Sequence, residues 1–129
     1  MRWSVTLLPP PSWNNSYRIV KQTRRSAAGK PYGYHTMAKT QKLIEYQAQM
    51  LLVVRSAKPS RWKPKKWVRI YWRVYLTRHI DMDNMQKAVN DVIEEATGVN
   101  DKWYLPIFDV EPVIGVPKRD ARIELIIEG

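Results

Sequence analysis

Residues 67–76 read WVRIYWRVYL, and this stretch constrains the fold more than any other. Val68, Ile70, Trp72, Val74 and Leu76 alternate with Arg69, Tyr71, Arg73 and Tyr75. A period of two belongs to a β-strand with one buried face. Such a strand needs partner strands beside it and an apolar layer over its Val/Ile/Trp face.

The rest of the chain offers both. Residues 3–8 read as a first strand, ended by Pro9-Pro10-Pro11, which have no N–H to give a ladder. Residues 12–35 read as a long loop with a possible hairpin, and a loop of that length in a small domain is usually functional. Across residues 36–55, Met37, Ile44, Ala48 and Leu51 recur at helical spacing, with Leu43, Met50 and Val54 widening the stripe. Residues 56–66 form a basic, proline-containing linker. After the strand, Met85, Val89, Val92, Ile93 and Ala96 share one stripe of a second helix, and Gly98 is its stop signal. Residues 104–114 read as an interrupted strand that Pro106 and Pro112 push to a sheet edge. Residues 117–120 read as a turn. Residues 121–128 are a last strand with Ile123, Leu125 and Ile127 alternating. The expected fold is α+β, a mixed β-sheet packed by two helices in the order β-α-β-α-β-β, as a single domain over residues 1–129.

Charge is divided unevenly along this framework. Residues 1–80 hold 17 Lys/Arg and a single acid, Glu45, whereas residues 81–129 hold 5 Lys/Arg and 11 acids, within a net charge of +10. A basic half of this kind suggests a polyanion, and nucleic acid is the usual one. Its cations are interleaved with aromatics, as in YRIVKQTRR (from Tyr17) and RWKPKKW (from Arg61). Lys and Arg neutralise phosphates while Trp and Tyr stack on exposed bases. The candidate DNA contacts are Arg18, Lys21, Arg24, Arg25, Lys30, Arg69 and Arg73, and Trp13, Trp62 and Trp103, in expected loops, are candidate stacking rings. With no cysteine, disulfides and thiolate zinc sites are excluded and a reducing compartment is expected. No apolar run approaches the roughly 18 residues of a membrane span, and MRWSVTLLPPP is too short for a signal peptide. The expectation is a soluble cytoplasmic protein.

Against this basic background the chain gathers carboxylates at one corner, in RHIDMDNMQK, which starts at Arg78. In extended chain, Asp81 and Asp83 would point the same way and repel unless a cation sat between them. A hard divalent ion such as Mg²⁺ would do so. The structural alternative is that Asp83 is a helix N-cap, since Asp83 and Gln86 have capping-box spacing. An EF-hand loop is excluded because Met85 and Gln86 fill positions that need an oxygen ligand and a glycine. Asn84, Lys87 and Asp91 continue a polar face up the helix, where Lys87–Asp91 is either an ordinary i, i+4 pair or part of a site. Asp101, beyond the helix stop, is a third acid that the following strand could return to the pair. Three carboxylates and a lysine beside a basic surface fit metal-assisted phosphodiester hydrolysis.

Asp81-Met82-Asp83-Asn84-Met85-Gln86-Lys87, then Asp91 and Asn100-Asp101, resembles the RusA family of Holliday junction resolvases, common in phages and prophages. Pro10-Pro11-Ser12-Trp13-Asn14-Asn15-Ser16-Tyr17-Arg18 is similar to the family's proline–serine–asparagine opening, and Arg122-Ile123-Glu124-Leu125 to its final strand. The resemblance implies a homodimeric crossover junction endodeoxyribonuclease that uses Mg²⁺, with Mn²⁺ as a substitute, to resolve four-way junction DNA by paired nicks. It implies Asp81, Asp83 and Asp101 as metal ligands and Lys87 as the essential lysine; Asn84 and Asp91, on the same polar helix face, are candidate accessory residues. Asn100 stands where the family often has the first of two aspartates, and Lys102-Trp103 where a small residue and a glutamine would be.

Other readings stand beside it; a purely structural or protein-interaction domain explains neither the charge split nor the acid cluster, and a small-molecule phosphatase would need a deep pocket. A PD-(D/E)xK nuclease is approached by Asp109-Val110-Glu111, but Val113 occupies the lysine position. A non-catalytic basic DNA- or RNA-binding module needs only the basic half, with the acids as caps and surface charge.

Overall fold

The computed structural model describes residues 1–25, 27, 29 and 31–129, with the side chains of residues 13, 14, 20–25 and 31–36 left aside. In chain order the elements are β1 (Arg2–Leu7), a single-turn helix α1 (Trp13–Ser16), β2 (Tyr17–Arg25), β3 (Pro31–Lys39), α2 (Gln41–Ala57), β4 (Val68–Leu76), α3 (Met82–Thr97), β5 (Tyr104–Ile107), β6 (Val113–Ile114) and β7 (Arg122–Glu128). Two 3₁₀ turns, Asp101–Trp103 and Lys118–Asp120, precede β5 and β7.

β1, β7, β4 and β5 form one mixed sheet in that order, and the short β6 also pairs with β4. β7 is antiparallel to β1 and to β4, whereas β5 and β6 run parallel to β4. The prolines act as the sequence suggests: residues 104–114 break into two short strands at the sheet edge. β2 and β3 pair as a separate antiparallel hairpin, the one anticipated in the loop over residues 12–35, but it runs on to Lys39, and the β-α-β-α-β-β order omits its two strands and α1.

The apolar residues of β4 and β7, with Trp3, Val5 and Leu7 of β1, form one sheet face against α2 and α3. Trp72, Ile70, Leu76, Ile123, Leu125 and Ile127 are almost fully buried there, each such side chain contributing about 1.5–3 kcal/mol by leaving water. α3 packs as its pattern suggests, through Met85, Ala88, Val89, Val92 and Ile93, and it ends at Gly98 in the left-handed conformation. α2 differs. It starts at Gln41, capped by Thr40, and buries Leu43, Tyr46, Met50 and Val54, so Ile44 and Ala48 of the expected stripe face out. Met37 belongs to β3. Trp62 is a further correction: it is buried, edge-on against Trp3 at 5.5 Å, and is core rather than a stacking ring.

The opposite sheet face carries charge. Arg69 and Arg73 are exposed on it, and they pair with Glu128 at 3.8 Å and with Asp109 at 3.2 Å. Arg2 reaches Glu128 at 3.3 Å, and Arg122 lies 4.0 Å from the Tyr75 ring centroid.

Candidate active site

β4 ends at Leu76, and five residues later Asp81 begins α3. Asp81, not Asp83, is the N-cap. Its Oδ1 accepts from the backbone N–H of Asp83 at 2.9 Å and of Asn84 at 3.2 Å. Asp83 lies inside the first helical turn. The pair is therefore not held in extended chain. Capping satisfies two of the helix's free N–H groups, and the helix dipole favours both negative charges at this end. Both aspartates are exposed. Among the described residues, Asp81 Oδ2 and both Asp83 oxygens accept no hydrogen bond.

These uncommitted oxygens suit a hard cation. Mg²⁺ keeps several waters and is held by one or two carboxylates together with substrate phosphate, so an exposed two-carboxylate corner fits it without a closed protein cage. Beside the corner an open cleft of about 450 Å³ is lined by Met82, Gln86 and residues 108–112. The acids of the PD-(D/E)xK alternative lie here, but Asp109 is committed to Arg73.

Lys87 is exposed one turn beyond Asp83, on the same side of α3, and its ammonium lies 5.0 Å from the Tyr17 ring centroid. Asp91 does not pair with Lys87. Its Oδ2 instead accepts from Lys39 at 3.3 Å and Gln47 at 3.5 Å, and Gln47 also donates to the Ala88 carbonyl at 3.0 Å. Lys87 and Asp91, on the polar face of α3, thus touch Tyr17 and Lys39 of the hairpin and Gln47 of α2. Burial, and then the negative charge of Asp91, raise the Tyr17 phenol above its ordinary value. Tyr17, Lys39 and Gln47 could not be found from local sequence, because they lie between 41 and 74 positions from the residues they meet on α3.

Asp101 is elsewhere. It opens the 3₁₀ turn that Asn100 caps by accepting from Lys102 N–H at 3.0 Å. β5 runs parallel to β4 with Val68 opposite Tyr104, so Asp101 sits where β4 begins, whereas Asp81 follows where β4 ends. α3 runs back between those ends over 16 residues, about 24 Å at 1.5 Å per residue. A parallel crossover returns the chain to the starting end of its strand, which is why the expected return of Asp101 to the pair does not occur within one chain. Among the described residues no three of His, Cys, Asp and Glu converge on a common point that could hold a metal.

Of the expected DNA contacts, Arg18 is exposed on β2 and opposes Ala38. The side chains of Lys21, Arg24 and Arg25, and that of Trp13, lie outside the described residues, as does Lys30 altogether. Arg69 and Arg73 stand on the sheet face away from the helices, each with an acid partner. Trp103 is half-buried beside Asp101. No helix among the described residues is long and apolar enough to cross a membrane.

The family model described as Endodeoxyribonuclease RusA matches residues 9–128. No curated protein matches the chain.

Proposed function

The chain belongs to the RusA endodeoxyribonuclease family, and from that premise we propose that it resolves four-way DNA junctions by paired, Mg²⁺-dependent nicks. The observation that carries this reading is the exposed Asp81–Asp83 corner with Lys87 one turn along the same helix.

Asp81 and Asp83 would hold the cation, and Mn²⁺ would serve in its place. A bound divalent ion supplies charge to the scissile phosphate and lowers the pKa of a coordinated water. The protein's own part is placement. The cap bonds fix Asp81 on the helix end, so its second oxygen is presented without further ordering. Lys87 extends from the same rigid helix and donates to a non-bridging phosphate oxygen, balancing the negative charge that grows there in the transition state. Asn84 and Asp91 are accessory: Asn84 borders the pair, and Asp91 holds Lys39 and Gln47 beside α3. Arg18 and the basic hairpin hold flanking phosphates, with Arg69 and Arg73 contributing less while paired with acids.

Asp101 joins this set only from a second copy, because about 24 Å of helix separates it from the pair in its own chain. A two-fold homodimer pairs each Asp81–Asp83 corner with the partner copy's Asp101, and the two sites it creates match two opposed strands of a junction. Ile44 and Leu52, exposed on α2, supply apolar surface for such an assembly.

Incubation of a labelled four-way junction in Mg²⁺ and in Ca²⁺ tests the reading. Binding in both ions with symmetrical cutting in Mg²⁺ alone is expected. The competing reading, a non-catalytic binding module, draws on the capping role of Asp81, which explains that acid without any metal. Binding with no cleavage in Mg²⁺ or Mn²⁺ would favour it.

A further inference from the structure

We propose that Trp67 and Trp103, with Lys65, Lys66 and Lys102, form a platform that stacks an unpaired DNA base and holds its flanking phosphates, at the end of the sheet that carries Asp101, which in the homodimer borders the partner copy's Asp81–Asp83 corner. The inference rests on the nuclease reading and adds a determinant of substrate structure to it.

The two indoles meet edge to face, with ring centroids 5.3 Å apart and planes at 76°. Trp103 is the half-buried member, whereas Trp67 is 47% exposed. An exposed indole ordinarily turns freely, but the edge contact fixes the direction in which Trp67 presents its face. Lys66 lies over both rings, 5.8 Å from the centroid of Trp67 and 5.5 Å from that of Trp103, and Lys102 lies 5.3 Å from Trp103. Two open clefts of about 410 and 570 Å³ meet here and share Lys65 and Lys66 as a common wall. The first runs along Trp103 and Lys102, and the second along Trp67 and Arg69. The acids nearby are Asp101, beside Lys102, and Glu128, which already bonds Arg2 and Arg69.

A fixed aromatic face between two lysine-walled clefts matches one nucleotide and the phosphates on either side of it. Every base has a face to stack, but inside a duplex both faces are covered by neighbours. The platform therefore favours DNA with an unstacked base, such as one exposed where paired arms part. Lysines alone would favour any polyanion equally.

Fluorescence anisotropy in Ca²⁺ with three labelled probes tests this: a 20-mer of dT, a blunt duplex and a four-way junction. Trp67→Ala should weaken binding of the dT strand about tenfold, the order expected for losing one base–aromatic stack, and should leave the blunt duplex unchanged. Trp67→Tyr should recover most of the loss. Lys66→Gln should weaken all three probes and flatten the salt dependence, and a thermal melt of each variant checks that the fold is intact. Equal loss on dT and duplex in Trp67→Ala, or no loss on either, overturns the platform while leaving the nuclease reading in place. A wild-type chain that binds none of the probes overturns both.

Discussion

At the scale of single residues, the capping geometry separates two roles that Asp81 combines. Asparagine caps a helix as well as aspartate does, whereas alanine does not. Asp81→Asn should therefore keep the melting temperature and lose cleavage by about a hundredfold or more, the consequence of weakening a metal contribution of several kcal/mol. Asp81→Ala should lose cleavage and also about 1 kcal/mol of stability. Calorimetry with a junction-nicking assay checks both, and full activity in Asp81→Asn would remove the metal assignment. That an acid pair sits here was plain in the sequence. Which of the two caps the helix was not, because Asp81 to Asn84 and Asp83 to Gln86 have the same spacing. Only the closed bonds from Asp83 and Asn84 N–H to Asp81 decide it.

At the scale of elements, α3 was legible in full and α2 only in part, as a helix that buries Leu43, Met50 and Val54 but not Ile44 or Ala48, for the same physical reason. α3 has one apolar stripe and one polar face, so periodicity alone orients it. α2 is apolar on more than one side, so two stripes compete. Contacts from distant parts of the chain choose between them, among them the Tyr46 hydroxyl donating to the Leu8 carbonyl at 2.6 Å. Leu43→Ala should cost about 2–5 kcal/mol as a core cavity. Ile44→Ala should change monomer stability by less than about 0.5 kcal/mol, and denaturant titration of the two variants separates the buried stripe from the exposed one. Burial raises the phenols of Tyr46 and Tyr104 above the usual tyrosine range; Glu94 and Asp101 add to the shift at Tyr104, and the Thr97 hydroxyl partly offsets it. Below pH 10 both tyrosines are neutral in either state and their burial contributes fully. Above it the unfolded chain ionises first, so stability should fall as pH rises beyond 10. Tyr46→Phe should reduce that slope.

At the scale of the whole molecule, the mixed sheet with two helices was readable from alternation and periodicity, but strand direction was not. Alternation in β4 and β5 is the same whether they run parallel or antiparallel, and direction alone sends Asp101 to the far end of the sheet. The net charge of +10 predicts junction affinity that falls steeply with salt, and a salt-insensitive complex would count against phosphate-dominated binding. The central claim is that cleavage takes Asp81 and Asp83 from one copy and Asp101 from another. Mixing the two inactive variants Asp81→Asn and Asp101→Asn tests it most directly. After subunit exchange, each mixed dimer holds one intact composite site and one doubly altered site, so nicking of one strand per junction should reappear. If each chain instead builds its own complete site, neither subunit of the mixed dimer is whole, and a mixture that stays inactive despite demonstrated exchange would contradict the account.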